Sequence, residues 1–252
     1  MTFFRAEAIA KYFGGIKAID GISFEVKEGE VFTLIGPNGA GKTTIFNLVS
    51  RIYDPTGGRL VFRDEDITRV PPHEIARRGI ARTFQNIELF EYASVLQNLL
   101  LGRHAHKRST FLEEILFLPR VRRLELEHRE AVEKVIDFLD LQPYRDSLIV
   151  NLPYGVRKVV ELARALCTEP KLLLLDEPSS GLNVEETQDM AFWIQDIKEL
   201  LGITVLMVEH DMTLVGAVSD RVLALSNGRP LALGTAAEVQ ANADVIAAYL
   251  GS

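Results

Sequence analysis

The sequence predicts an α/β fold, a parallel sheet covered by helices, with an antiparallel β subdomain at its N-terminal side and an inserted helical subdomain. Three observations predict it. Short apolar runs at 31–35, 171–175 and 203–208 have the character of strands buried on both faces. Helical segments lie between them, at 43–50, 155–167 and 184–201, and such alternation implies a parallel sheet with helices on both sides. The stretch 94–148, by contrast, carries no strand pattern.

Taken in order, period-2 apolar patterning over 16–26, preceded by Gly14-Gly15, predicts strands of an antiparallel sheet. Val31-Phe32-Thr33-Leu34-Ile35 then runs into a glycine, as a buried parallel strand does before its loop. Within 94–148 the longest segment, 121–141, has apolar residues at helical spacing. Leu124, His128, Val132, Val135, Ile136 and Leu139 share one face, with Glu125, Glu127, Arg129, Glu130 and Lys134 turned outward. The expected organisation is a single domain over 1–252, with a core of 1–93 and 149–252 and the helical insertion at 94–148. Arg103, Lys107, Arg108, Arg120, Arg122 and Arg123 make the entrance of the insertion basic. A solvated face is the simpler reading, and contact with acidic lipid headgroups the sharper one.

Composition narrows the functional classes. A 47% hydrophobic content over 252 residues supplies a core, yet no run approaches the roughly 18–20 apolar residues of a membrane-spanning helix. Met1-Thr2-Phe3-Phe4-Arg5-Ala6-Glu7 lacks the basic start and apolar centre of a signal peptide. The chain is therefore expected in the cytosol, reaching a membrane only through a partner. The lone cysteine, Cys167, lies in an apolar run and reads as a buried thiol rather than a nucleophile. A formal charge of −7 argues against a general nucleic-acid binder. It leaves nucleotide binding open, because backbone N–H groups and one lysine suffice to hold phosphate.

Gly36-Pro37-Asn38-Gly39-Ala40-Gly41-Lys42-Thr43 fits G-x-x-x-x-G-K-[ST] between a predicted strand and a predicted helix. In that setting the loop turns several N–H groups toward phosphate at the positive end of the helix. Lys42 is expected on the β/γ-phosphates and Thr43 on Mg²⁺, with Thr44 beside it among the nucleotide-binding residues. Leu172-Leu173-Leu174-Leu175-Asp176-Glu177 supplies the second half of a P-loop NTPase core. Its apolar strand delivers Asp176 to hold the magnesium through water, and places Glu177 to orient and deprotonate the attacking water. Acidic residues end many strands without function, so the pair gains its meaning from the loop before it.

Four further segments carry a family resemblance. Asn151-Leu152-Pro153-Tyr154-Gly155-Val156-Arg157-Lys158 resembles the signature motif of ATP-binding-cassette proteins. Gln85, in Arg82-Thr83-Phe84-Gln85, resembles their Q-loop glutamine. Ser180-Gly181-Leu182-Asn183 resembles their D-loop, and His210, in Val208-Glu209-His210-Asp211, their switch histidine. The order and approximate spacing of all six elements match over essentially the whole chain. The resemblance implies two subunits facing head to tail, each ATP lying between one P-loop and the other subunit's Leu152, Pro153, Tyr154 and Gly155. It implies that Gln85 touches magnesium and the attacking water, and that His210 bonds the γ-phosphate. Phe13, just before Gly14-Gly15, takes the place of the aromatic that stacks on adenine, with Tyr12 the alternative and one of the two expected to pack inward.

The signature departs from the family pattern: Pro153 stands where serine is usual and Val156 where glutamine is. A weakened site on that signature is expected. Asn183 stands where aspartate is commoner.

Three features resemble the ATPases of branched-chain and hydrophobic amino-acid importers: the long stretch between Gln85 and Leu152, the Tyr154-Gly155 core of the signature, and the ending Ala243-Asp244-Val245-Ile246-Ala247-Ala248-Tyr249-Leu250-Gly251. That branch implies a second, different ATPase subunit, two permeases and an extracytoplasmic binding protein, with this subunit on the cytoplasmic face of the membrane. With Ser252 last, no C-terminal regulatory domain is expected. Urea or amide transport, and a soluble ATPase acting on DNA or the ribosome, remain alternatives. A nucleotide-sensing subunit is opposed by the intact Lys42, Glu177 and His210. A P-loop kinase has no use for the signature, Gln85 and His210 together.

Overall fold

The structure, a computed structural model, describes residues 2–83, 87–106 and 119–250. Its strands are β1 (Thr2–Phe13), β2 (Ile16–Lys27), β3 (Val31–Ile35), β4 (Gly57–Phe62), β5 (Glu65–Asp66), β6 (Ile80–Arg82), β7 (Leu172–Asp176), β8 (Thr204–Val208), β9 (Arg221–Ser226) and β10 (Arg229–Gly234). The described α-helices are α1 (Lys42–Val49), α2 (Pro72–Ile75), α3 (Val95–Gly102), α4 (Pro119–Phe138), α5 (Tyr154–Leu166), α6 (Val184–Glu199), α7 (Met212–Val218), α8 (Ala236–Gln240) and α9 (Ala243–Leu250).

Packing divides the chain into one unit of 1–85 with 171–252 and a second of 86–170. The first unit holds both sheets. The antiparallel one runs β2-β1-β4-β5. Strict alternation from Ile22 onward buries Ile22, Phe24 and Val26 and exposes Ser23, Glu25 and Lys27, so one face of β2 feeds the core. Its partner β1 is interrupted: the register slips between Ala6 and Ile9 and again toward Lys11 and Tyr12, and Ala8 has φ 46. These bulges break the period-2 signal, which is why β1 does not announce itself in the sequence.

The second sheet runs β10-β9-β3-β8-β7-β6, parallel except for β10, which folds back on β9 across Asn227-Gly228. Every residue of β3, β7 and β8 is buried, as continuous apolar runs demand. Edge strand β10 is more open and contains Pro230. Between the two sheets Phe24 stacks on Phe32 at 5.6 Å, with Phe4, Phe46 and Leu206 in the same cluster. A smaller cluster joins Ile35 to Val215 of α7, Val239 of α8 and Val245 of α9.

The helical unit is wider than the expected 94–148, because α5 belongs to it. The helix α3 starts at a Ser94–Gln97 capping box and packs against both α4 and α5. Val132 and Ile136 of α4 and the following Leu139 are buried, and Leu124, His128 and Val135 half-buried, on the face that helical spacing selected. The closest approach is at Gly102, where a Cβ would stand 2.5 Å from the Arg164 carbonyl oxygen and 2.9 Å from Cys167 Cβ. Arg103 is not on a solvated basic face: it is buried, and its Nη1 donates to the Cys167 carbonyl at 2.9 Å and to Glu169 Oε1 at 2.7 Å. Length and a guanidinium with several donors suit it to bridging a helix end, a demand that local sequence does not reveal. Arg120, Arg122 and Arg123 are exposed or nearly so, and Lys107 and Arg108 lie outside the described residues.

Gly102→Ala should lower unfolding stability by about 1–3 kcal/mol, the usual cost of overpacking. Gly216→Ala, on the exposed side of α7 with nothing within 4 Å of the added Cβ, should leave it unchanged or raise it. Urea denaturation of both variants checks the pair.

Candidate functional site

Three loops leave the carboxyl ends of β3, β7 and β8, and these strands are neighbours, so the loops converge at one edge of the sheet. That edge is where open α/β sheets bind ligands. The first loop passes from Ile35 through residues 36–41 into α1. Gly41 is the N-cap of α1 at φ 102, and a Cβ there would lie 2.6 Å from Ile19 Cδ1 and 2.8 Å from the Ala18 carbonyl oxygen. Glycine alone satisfies both that conformation and that contact. The loop residues 38–44, with Ala18 and Glu177, line a cavity of about 290 Å³. Pro37 closes the turn by accepting from Ala40 N–H at 3.1 Å.

Lys42 is only 8% exposed, and its Nζ donates to the carbonyls of Gly36 at 2.6 Å and Pro37 at 3.0 Å. Burial pulls its pKa below the ordinary lysine value, while Glu177 and Asp176 pull it back. The ammonium is thus held in a partly dry place where an arriving anion meets little competing water. Thr43 is exposed at the mouth of the loop and Thr44 half-buried beside it.

The second loop begins at Asp176, 2% exposed at the end of β7. Its Oδ2 accepts from Arg82 Nη2 at 2.7 Å. Arg82 also donates to Asn47 Oδ1 at 2.6 Å and Ser50 Oγ at 3.0 Å, and its guanidinium lies 5.5 Å from the Phe46 ring centre. Sequence reasoning passed over Arg82, although it stands in the segment quoted for Gln85. Glu177 follows at φ 50, a left-handed conformation costly for a residue with a Cβ, and its N–H donates to the Val208 carbonyl at 2.9 Å. The third loop carries His210, whose side chain is 57% exposed and whose Nδ1 lies 3.8 Å from Glu177 Oε2. Lys42, Asp176, Glu177 and His210 are therefore gathered in one unit. Gln85 lies outside the described residues.

Phe13 and Tyr12 both stay exposed, at 43% and 37%, so the expectation that one packs inward is not met. Each finds an edge partner instead. Phe13 meets Tyr53 edge-on at 5.3 Å with Lys11 over its ring, and Tyr12 bonds Asp20 through its hydroxyl at 3.1 Å. Among the described residues no layer covers the strand end around residues 12–13 to bury either ring.

In the helical unit, Leu152 is buried and Pro153 is the N-cap of α5 at φ −55, with no side-chain cap bond. Proline accepts this position because its fixed φ suits a helix start. Tyr154 and Gly155 form the first turn, half-open and buried respectively, and Arg157 Nε anchors the Leu152 carbonyl at 2.9 Å. Asn183 caps α6 through a capping box with Glu186, a task for which asparagine equals aspartate. Among the described residues, no cluster of three or more His, Cys, Asp or Glu could hold a metal by itself. No described helix is long and apolar enough to cross a membrane.

Residues 19–180, which contain the loop of Lys42, Asp176, Glu177 and the signature segment, match the profile of the ABC transporter family. The chain belongs to that family. The end of this cassette, residues 229–252, matches a second profile, described as branched-chain amino acid ATP-binding cassette transporter. The cassette is 41% identical over 239 residues to the high-affinity branched-chain amino acid transport ATP-binding protein BraF of Pseudomonas aeruginosa, covering 95% of this chain and 94% of that one. It superimposes on a crystal structure of a nucleotide-free ATP-binding cassette from an ABC transporter with a TM-score of 0.87 and 33% identity, each chain covered completely. An ATP-binding cassette in its ADP conformation gives a TM-score of 0.86 and 32% identity, again over both whole chains.

Cys167 is buried, and burial pushes its thiol pKa up to about 12. The thiolate is the reactive form, so below pH 9 the folded cassette should resist alkylation. One equivalent should react after denaturation, which mass spectrometry reads; fast labelling of the folded chain would place the thiol elsewhere.

Proposed function

We propose that this cassette hydrolyses ATP to ADP and phosphate and so powers an importer of branched-chain or other hydrophobic amino acids. The observation that carries the reading is the cavity that Glu177 shares with the loop of Lys42. A carboxylate standing across a phosphate-sized space from a buried ammonium is suited to act on a water at the far side of a bound phosphoryl group. The match of residues 229–252 supports the amino-acid branch.

In this reading the N–H groups of Asn38, Gly39, Gly41 and Thr44, at or near the positive end of α1, hold the phosphates together with Lys42. Phe13, exposed on its strand end, offers its ring to adenine; such stacking is worth roughly 1–3 kcal/mol per base. Glu177 takes the proton from the attacking water, and His210 bonds the γ-phosphate and steadies that water. The donors near the cavity fit magnesium: a hydroxyl on Thr43 and a carboxylate on Asp176 are hard oxygen ligands. One Asp176 oxygen is engaged by Arg82, which favours contact through water, and Gln85 completes the set. Magnesium, when bound, neutralises charge on the β- and γ-phosphates.

A single cassette leaves the γ-phosphate open on one side. We assign that side to Leu152, Pro153, Tyr154 and Gly155 of a second ATPase subunit, or of a second copy, arranged head to tail. The start of α5 presents N–H groups as an anion-binding end without any hydroxyl at Pro153. Two permeases in the membrane, fed by an extracytoplasmic binding protein, take up the work at the cytoplasmic face. With Pro153 weakening one site, a non-identical partner carrying a complete signature suits this chain better than self-pairing.

Glu177→Gln should keep ATP affinity and lower turnover by roughly 10²–10⁴-fold, the usual worth of a positioned acid–base group. Near wild-type hydrolysis would remove Glu177 from the role. Lys42→Ala should weaken ATP binding about ten- to a hundredfold, since a charge-assisted bond is worth roughly 1.5–3 kcal/mol. Titration with a fluorescent ATP analogue reads this, and leucine uptake by vesicles carrying the assembled transporter tests the cargo.

A further inference from the structure

Glu209, between Val208 and His210, is fully buried, and no part of the reading above uses it. Its carboxylate is saturated by donors from two separate loops. Oε1 accepts from Ser179 N–H at 2.9 Å and Ser179 Oγ at 2.6 Å. Oε2 accepts from His210 N–H at 2.6 Å and Asp211 N–H at 3.1 Å. Among the described residues no lysine or arginine pairs with it. The Glu209 N–H reaches the Leu34 carbonyl at 3.3 Å, two residues before the phosphate loop.

We infer that Glu209 is a positioning residue that clamps the histidine loop to the loop after Glu177, fixing where His210 stands relative to Glu177. The inference rests on the proposed roles of those two residues. Ser179 is two residues past Glu177, and Ser180 N–H donates to the Glu177 carbonyl at 3.1 Å, so holding Ser179 holds the turn on which Glu177 sits. The same carboxylate fixes the backbone of His210 and lies 3.6 Å from its Nδ1. The geometry demands a carboxylate in particular. Four donors need two acceptor oxygens, and the glutamine isostere offers one oxygen and an NH₂ group that would face donors. A shorter aspartate could not span both loops. A carboxylate kept dry by neutral donors is costly to retain for packing alone, because an apolar side chain of similar size is often no worse there. Its donors instead make the two catalytic loops move as one body.

The test uses the full-length chain, in excess over ATP, with single-turnover hydrolysis and ATP affinity measured separately. Glu209→Gln should slow hydrolysis about 10- to 100-fold, the scale of a 1 Å misplacement, with ATP affinity within about threefold of wild type. Combined with His210→Ala it should slow the reaction no further than the slower single variant. Ser179→Ala removes one donor without unpairing the fold, and should show the same non-additive pattern with a smaller loss. A wild-type rate in folded Glu209→Gln and Ser179→Ala, or losses that multiply with His210→Ala, would overturn the inference and reduce Glu209 to a stability role. A wild-type rate in His210→Ala would overturn the reading of the site itself, and the inference with it.

Discussion

The pairing of β3 with β8 is the constraint on which the rest of the site depends. Val31 to Leu34 lie in parallel register with Val205 to Val208, both strands wholly buried. Because the strands run the same way, the loop of Lys42 and the loop of His210 must emerge at the same end. β7, on the other side of β8, brings Asp176 opposite Val208 in the same way. An antiparallel pairing anywhere in this trio would send one of the three loops to the opposite edge. The apolar runs that allow both faces to be covered by helices are therefore also what gathers the chemistry.

How much of this the sequence disclosed follows the same logic. Strands buried on both faces are conspicuous, and 31–35, 171–175 and 203–208 correspond to β3, β7 and β8 within a residue. Strand β1 is hidden by its bulges, and β6 by its length of three residues. Strands β9 and β10 were passed over although Asn227-Gly228, a strong hairpin signal, joins them. In the site, the loop and strand motifs are local in sequence and were legible. Arg82 and Glu209 were not, because what defines them is a partner 94 residues away for Arg82 and 30 residues away for Glu209. The helical unit reaches beyond 94–148 for a related reason: α5 reads as one more helix between strands until Gly102 is seen against Arg164.

The charges near the cavity share one feature. Lys42, Asp176, Arg82 and Glu209 are each withdrawn from water, and each is held by hydrogen bonds to loop carbonyls, to neighbouring side chains, to one another or to backbone N–H groups. Withdrawal of this kind destabilises a charge unless its partners are complete. Electrostatic forces between such groups are stronger than at a wet surface, so small shifts in one loop are felt by the others. The lowered pKa of Lys42 is the direct sign of that environment.

The shape of β10 has a consequence for solubility rather than catalysis. A sheet's outer strand exposes unpaired backbone groups that invite a strand from another molecule. In the six-stranded sheet one outer strand carries Pro230, which offers no N–H, and the opposite one, β6, is only three residues long. Neither border gives an incoming strand a long run of bonds. The cassette is thereby kept from adding to itself at random.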